Sequence, residues 1–434
     1  MTKLAFSIGL LSLLLTSCMP EQCNLTRKFT EFTPVYMSYP EFRASIKGEP
    51  ARALEKPGKI YFKDNLIFIN EFQKGVHVVD NSNPANPVKL AFINIPGNVD
   101  IAVRNNTLYA DSYVDLVAVD ISDPMNPVVT KRIQEIFPYQ SWQYGVFLDE
   151  SRGVVKEWLV EEKEEKYSGD CNNAPGGGWG WFGGPGIQED VMINSFGGAT
   201  TTGGGGNGKS AMPSSGIGGS MARFALYDIY LYVVTEQDLL LFDIADDRDP
   251  KQHSEVNLGW GIETIFPYED KLFIGANNGM YIYDNADPSE PVFLSQFEHV
   301  TTCDPVVVEN DIAYVTLRNG TACWGFTNQL DILDVSDATN PSLIASHGMF
   351  NPHGLGIDNK TAFICDGEEG LKVYDVNNPQ NINLLSHFED ISTFDVIPLA
   401  SKQVLLMVGN DGFYQYDYSD VTKVKLLSAM MIGQ

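Results

Sequence analysis

Seven times the chain repeats a pentad of strand-forming residues that ends in aspartate: VHVVD at Asp80, LVAVD at Asp120, LLLFD at Asp243, MYIYD at Asp284, LDILD at Asp334, LKVYD at Asp375 and FYQYD at Asp417. A turn phrase follows each: NSNPANP, ISDPMNP, IADDRDP, NADPSEP, VSDATNP, VNNPQNI and a degenerate YSDVTKV. A repeated unit of this kind cannot bury its apolar face alone, so its copies must stack on one another.

Each unit has a local physical reading. The pentads are rich in β-branched and aromatic residues, as a strand covered on both faces requires. The closing aspartate is placed to accept hydrogen bonds from the following amides in an Asx-turn, and proline in the phrase fixes φ and ends the strand. Upstream of the pentads lie second strands such as LIFIN, TLYAD, LFIGA, IAYVT and TAFIC, preceded by others such as IAVR and PVVVE. After the turns come short runs such as VKLAFIN and PVFLSQF. Four strands per unit of about 40 to 50 residues make a propeller blade.

From Asp80 the aspartates follow at spacings of 40, 123, 41, 50, 41 and 42 residues. Only the second departs, and removing one blade from it leaves an insertion of roughly 80 residues. The expected fold is all-β: a seven-bladed β-propeller over 58–434 with a Gly-rich insertion in blade 3, about 144–220. Closing the ring removes the unpaired edges that separate sheets would expose. On these pentads and DPxxP turns the chain resembles the LVIVD-repeat family of bacterial exported proteins, which implies β-propeller repeats but no established substrate or cofactor. Asp247 and Ala338 stand where other turns carry the first proline.

The amino terminus reads as an address. Lys3, the apolar run Leu4 to Leu15 and small residues before Cys18 have the order of a secretory signal, too short for a spanning helix. Leu15-Thr16-Ser17-Cys18 resembles a bacterial lipobox, which implies a lipoprotein signal peptide over 1–17 and a lipid on Cys18. Residues 18–57 are then a lipid-anchored leash and pre-propeller segment, with the leash running from Met19 to about Thr33. Outer membrane or cell surface is the expected location. Cys303 and Cys323 flank an apparent hairpin and read as a disulfide or as two buried thiols. Cys365, inside TAFICDG, reads as an inert buried thiol.

Within the insertion, GVFLDESRGVVKEWLVEE reads as a hairpin grafted on blade 3 or as a degenerate extra blade. From Gly169 to Gly219 the chain holds 18 of its 39 glycines, a composition that loses too much backbone entropy to pack and predicts a surface loop. Trp179, Trp181 and Phe182 there suit stacking on sugars or insertion into a partner's groove, or else fold back on the propeller face. GGGGNGKS from Gly203 to Ser210 spells a phosphate loop, but lacks the preceding strand and following helix that the mechanism needs.

Chemistry is expected at the axis. Counting back about ten residues from each second strand gives Lys59, Asp100, Arg223, Glu263, Asp304, His353 and Asp395 as a candidate channel ring, with Ala222 competing in blade 3. Such a ring suits a divalent metal or polar ligand, acid–base work, or simply strand capping and mutual pairing around water. Trp260 and Trp324 are candidates for an apolar wall on the same face.

No catalytic motif is recognised and no cofactor is predicted beyond a metal in the channel. The balance of 56 acidic against 29 basic residues, net −27, argues against nucleic acid. The reading is a noncatalytic, lipid-tethered binding or scaffold module whose partners are the membrane, through Cys18, and a protein or glycan. The alternative is a hydrolase or lyase using Glu263, Asp304, His353 and Asp395. A third reading is a structural subunit of an envelope complex.

Overall fold

The computed structural model describes residues 22–170, 217–299, 305–319 and 327–433. The signal segment with Cys18, the glycine-rich stretch with Trp179, Trp181 and Phe182, the phosphate-loop-like string, and Cys303, Asp304, Cys323 and Trp324 lie outside the described residues.

Seven antiparallel sheets follow in chain order, at 57–94, 101–133, 224–257, 262–298, 306–348, 355–388 and 393–431. The innermost strands Pro57–Lys63, Ile101–Arg104, Phe224–Tyr227, Ile262–Tyr268, Val306–Glu309, Leu355–Asp358 and Thr393–Leu399 neighbour one another in that order, and the last returns to the first. The result is a closed seven-bladed β-propeller. Apolar side chains of adjacent blades interleave, as where Ile67 and Val79 of blade 1 join Ile397, Leu406 and Phe413 of blade 7. The pentads supply the third strands, and burial on both faces explains their near-continuous apolar character.

All seven aspartates form the expected turn. Asp80, Asp120, Asp243, Asp284, Asp334, Asp375 and Asp417 each accept the backbone amide two residues on, at 2.8–3.1 Å. A second acceptor three residues later repeats the device: Asn83, Asp123, Asp246, Asp287, Asp337, Asn378 and Asp420 take the amide two residues beyond, at 3.0–3.2 Å. The turns at Asp247 and Ala338 close without the first proline because these side-chain acceptors define them. A bulge between third and fourth strands recurs in every blade, for instance between Val78 and Val79.

Blade 1 has extra strands at both edges. Ile217–Gly218 pairs with its innermost strand, and Lys47–Pro50 pairs with its outermost, Val88–Asn94. The segment before blade 1 is a clasp. Its short helix Tyr39–Arg43 buries Phe42 completely and sends Arg43 to Asp115 at 2.8 and 3.0 Å, where Arg132 also binds. Leu54 forms a parallel bridge with Ile432 and accepts the Gly433 amide at 2.9 Å. The seam between blades 7 and 1 also carries a buried reciprocal amide pair, Asn81 with Gln415, both bonds 2.8 Å.

A separate compact unit comprises the described residues of 1–36, 141–149 and 155–186. Strand Gln22–Met37 pairs with Val154–Asp170, and Trp142–Gln143 pairs with Val146–Phe147 in a short hairpin. Phe32, Tyr144 and Trp158 pack with ring centroids 4.7–6.4 Å apart. The stretch expected as one hairpin or an extra blade is thus divided between that hairpin and a long strand. From Gln22 onward the stretch read as a leash is also a strand, paired with Val154–Asp170, and its Thr30 hydroxyl donates to Glu162 of that partner strand at 2.7 Å.

The seam gives a quantitative expectation. N81A leaves Gln415 Oε1 without its Asn81 donor, though Nε2 keeps Ser428, and Q415A leaves the Asn81 amide without Gln415, each costing about 1–3 kcal/mol, while the double variant costs less than the sum because one interaction is lost in all three. Chemical denaturation of the four proteins reads the coupling.

Candidate functional site

The first strands deliver the candidate ring side chains to the axis in two groups. In the first, Asp100 caps its own strand by accepting the Ile101 amide at 2.8 Å, while its other oxygen takes Lys59 Nζ at 2.7 Å and the Arg223 amide at 2.6 Å. Lys59 and Asp100 are both buried. Burial lowers the Lys59 pKa, and the adjacent Asp100 carboxylate works against that shift. Arg223 turns its Nε to the Val234 carbonyl at 3.0 Å. In the second group Glu263 acts electrostatically on Arg318, a buried cation that directly follows the second strand of blade 5, and Arg318 acts on His353. Burial, and then the Arg318 charge, holds the imidazole well below its usual range, so His353 is neutral. Its Nδ1 is buried without a hydrogen-bond partner.

Asp395 is the deepest acid among the described ring members. It is fully buried, and Oδ1 accepts the Val396 amide at 2.9 Å, while Oδ2 has no hydrogen-bond partner. Burial raises its pKa to about 7, against the pull of the Val396 amide, Lys59 and Ser220.

What sits on Asp395 is the chain itself. The strand Ile217–Gly218, where the insertion returns, lies on the channel side of blade 1 and leads into Gly219 and Ser220. A β-carbon on Gly219 would stand 1.8 Å from Asp395 Oδ2, so only glycine fits there. Ser220 Oγ accepts the Leu355 amide at 2.6 Å and lies 3.4 Å from Asp395 Oδ1. Sequence reading placed this residue pair inside a surface loop. The small residues GIGGS at 216–220 were the signal that a backbone must approach something closely.

Sequence reading also passed over a set of acids at or beside the ends of second strands. Glu71, Asp111 and Asp366 each receive two backbone amides from the segment entering the first strand of the same blade: 55 and 56, 99 and 100, 350 and 351. Burial raises Asp111 to about 6. Burial pushes Glu71 upward too, but His77 and the two amides bring it below its ordinary value. These acids build the loops that hold the ring. Cys365 is a buried free thiol, pushed up by burial, and thus the inert group expected.

Among the described residues no three His, Cys, Asp or Glu side chains converge as metal ligands. Of the described ring members, Lys59 and Asp100 pair with each other and Asp395 caps its own strand, while His353 Nδ1 and Asp395 Oδ2 are buried without a hydrogen-bond partner. Trp260 lies apart from them in exposure, with 63% of its surface open.

Asp395 yields a pH signature. Its folded value, about 7, lies above the ordinary carboxylate value of 3.8, so the folded state holds a proton that the unfolded chain has lost between those values. Its contribution to stability therefore declines as pH rises from about 4 to about 7 and is level above that. D395N removes that decline, so the variant gains melting temperature relative to the parent at pH 8 compared with pH 5; thermal scans across this range check it.

The repeat model described as LVIVD repeat matches residues 58–92, 97–134 and 304–347, parts of blades 1, 2 and 5. No curated protein matches the sequence. Among solved structures, the computationally designed Ika8 protein is similar at 9% identity and TM-score 0.49, covering 88% of this chain and 91% of that one. A protein from Lactobacillus plantarum is similar at 10% identity and TM-score 0.49, covering 80% and 89%. PorZ of Porphyromonas gingivalis, described as a surface component of the type-IX secretion system, is similar at 10% identity and TM-score 0.47, covering 89% of this chain but 40% of its own. With matched repeats in three blades and the same turn in all seven, the chain carries LVIVD repeats.

Proposed function

We propose that the chain is a noncatalytic binding or scaffold module of the cell envelope, exported and tethered through a lipid on Cys18, with a glycan or protein partner. The observation that carries this reading is the return strand at the axis. Gly219 covers Asp395, and Lys59 and Asp100 satisfy each other. An acid–base pair needs hydrogen-bond reach to a substrate, and these groups are directed to the protein's own backbone and side chains. Function is therefore assigned to the rim and loops, where propellers leave their variable surface. The ring residues act as the hub that keeps the blades in register.

Two experiments test the reading. Envelope polysaccharides and peptides incubated with the intact protein are expected to show no turnover that depends on Asp395 or His353, and D395N is expected to capture ligand as the parent does. Turnover abolished in both D395N and H353A would replace the module with the hydrolase or lyase alternative. Metabolic labelling with a fatty-acid probe is expected to mark the parent and not C18A, with the variant released from the membrane fraction. Equal membrane retention of C18A would remove the tether from the proposal.

A further inference from the structure

We infer that the surface of blade 4 around Trp260 is a binding site for a neutral glycan; this rests on the binding-module reading and gives it a place and a ligand class. Trp260 sits in the turn Leu258–Ile262 that leads into the innermost strand, and it is exposed to 63% in a position the backbone fixes. Leu258 N donates to Gln237 O at 2.8 Å and Ile262 N to Glu236 O at 3.0 Å, which ties both ends of the turn to blade 3. Gly259 and Gly261 flank the indole with φ of +110° and +76°, values that other residues rarely adopt. The turn is thus built to hold a large aromatic outward, against the usual tendency to cover it.

Beside it lie uncharged hydrogen-bonding groups. Asn277 donates its backbone amide to Gly261 O at 2.8 Å, and its side chain packs where a β-carbon on Gly261 would stand. The Tyr281 hydroxyl lies 3.9 Å from the corresponding point on Gly259 and bonds with the Asn278 side-chain amide at 3.1–3.2 Å. Gln296 reaches the Asn278 carbonyl at 3.5 Å. Tyr281 also neighbours Phe293, which is 52% exposed.

An exposed indole whose flanking glycines adjoin a carboxamide and a phenol matches a sugar ring, which offers an apolar C–H face for stacking and hydroxyls that both donate and accept. None of these side chains carries a charge, and the chain has a net charge of −27, so acidic glycans and nucleic acid are disfavoured. The geometry therefore selects a neutral sugar.

The test uses the full chain on an array of neutral and acidic glycans, followed by titration with maltotetraose, cellotetraose and laminaritetraose read by calorimetry and tryptophan emission. Retention of a neutral glycan is expected, with W260A weakening it by roughly tenfold or more, W260F keeping most of the affinity and N278A losing several-fold. Circular dichroism checks that the surface variants keep their fold. The site is overturned if no neutral glycan is retained, if only acidic glycans or a protein bind there, or if W260A binds as the parent does. In that last case the location fails while the module reading stands. Turnover dependent on Asp395 and His353 would instead sink the underlying reading.

Discussion

Every blade needs its neighbours, because a four-stranded sheet that is apolar on both faces is insoluble by itself. The requirement that seven such sheets cover one another is the constraint from which the rest of the molecule follows. It fixes the apolar pentads, it brings the last strand back to the first, and it leaves the first strands facing a common axis. Ring closure removes the inner edges that would otherwise template pairing with other chains. At the seam, where no blade is completed by strands from both ends of the repeat array, the protein adds specific devices: the Asn81 and Gln415 amide pair, and the bridge between Leu54 and Ile432.

Much of this was legible in the sequence because its causes are local. A carboxylate that accepts the amide two residues on needs only its own neighbours, so seven aspartates announced seven turns. The second acceptor, three residues later, was equally present in the letters, as Asn83 or Asp123, but the prolines beside it drew the eye. Asp247 and Ala338 show that the side-chain acceptors and not the first proline define the turn.

The channel was legible in part. Counting back from each second strand named Lys59, Asp100 and Arg223, which meet through the Asp100 carboxylate. It did not find Arg318, which directly follows a second strand and lies outside the register counted. Nor could it show that residues 217–220 cross to Asp395, for that contact joins segments 175 residues apart and depends on a glycine having no side chain. The long pairing of Gln22–Met37 with Val154–Asp170 escaped for the same reason: local pattern marks a strand, but not which distant strand completes it.

All four core strands of each blade come from one unbroken stretch of chain, including the first and the last. Such a plan permits vectorial assembly: as synthesis proceeds, each finished sheet can dock on the one before it, with short loop closure at every step except that from blade 2 to blade 3. Closing the ring of blades requires the meeting of the 50s with the 430s. With the ends of the repeat array bridged there, the polypeptide is topologically almost a circle, and new termini opened at another inter-blade loop would preserve every sheet.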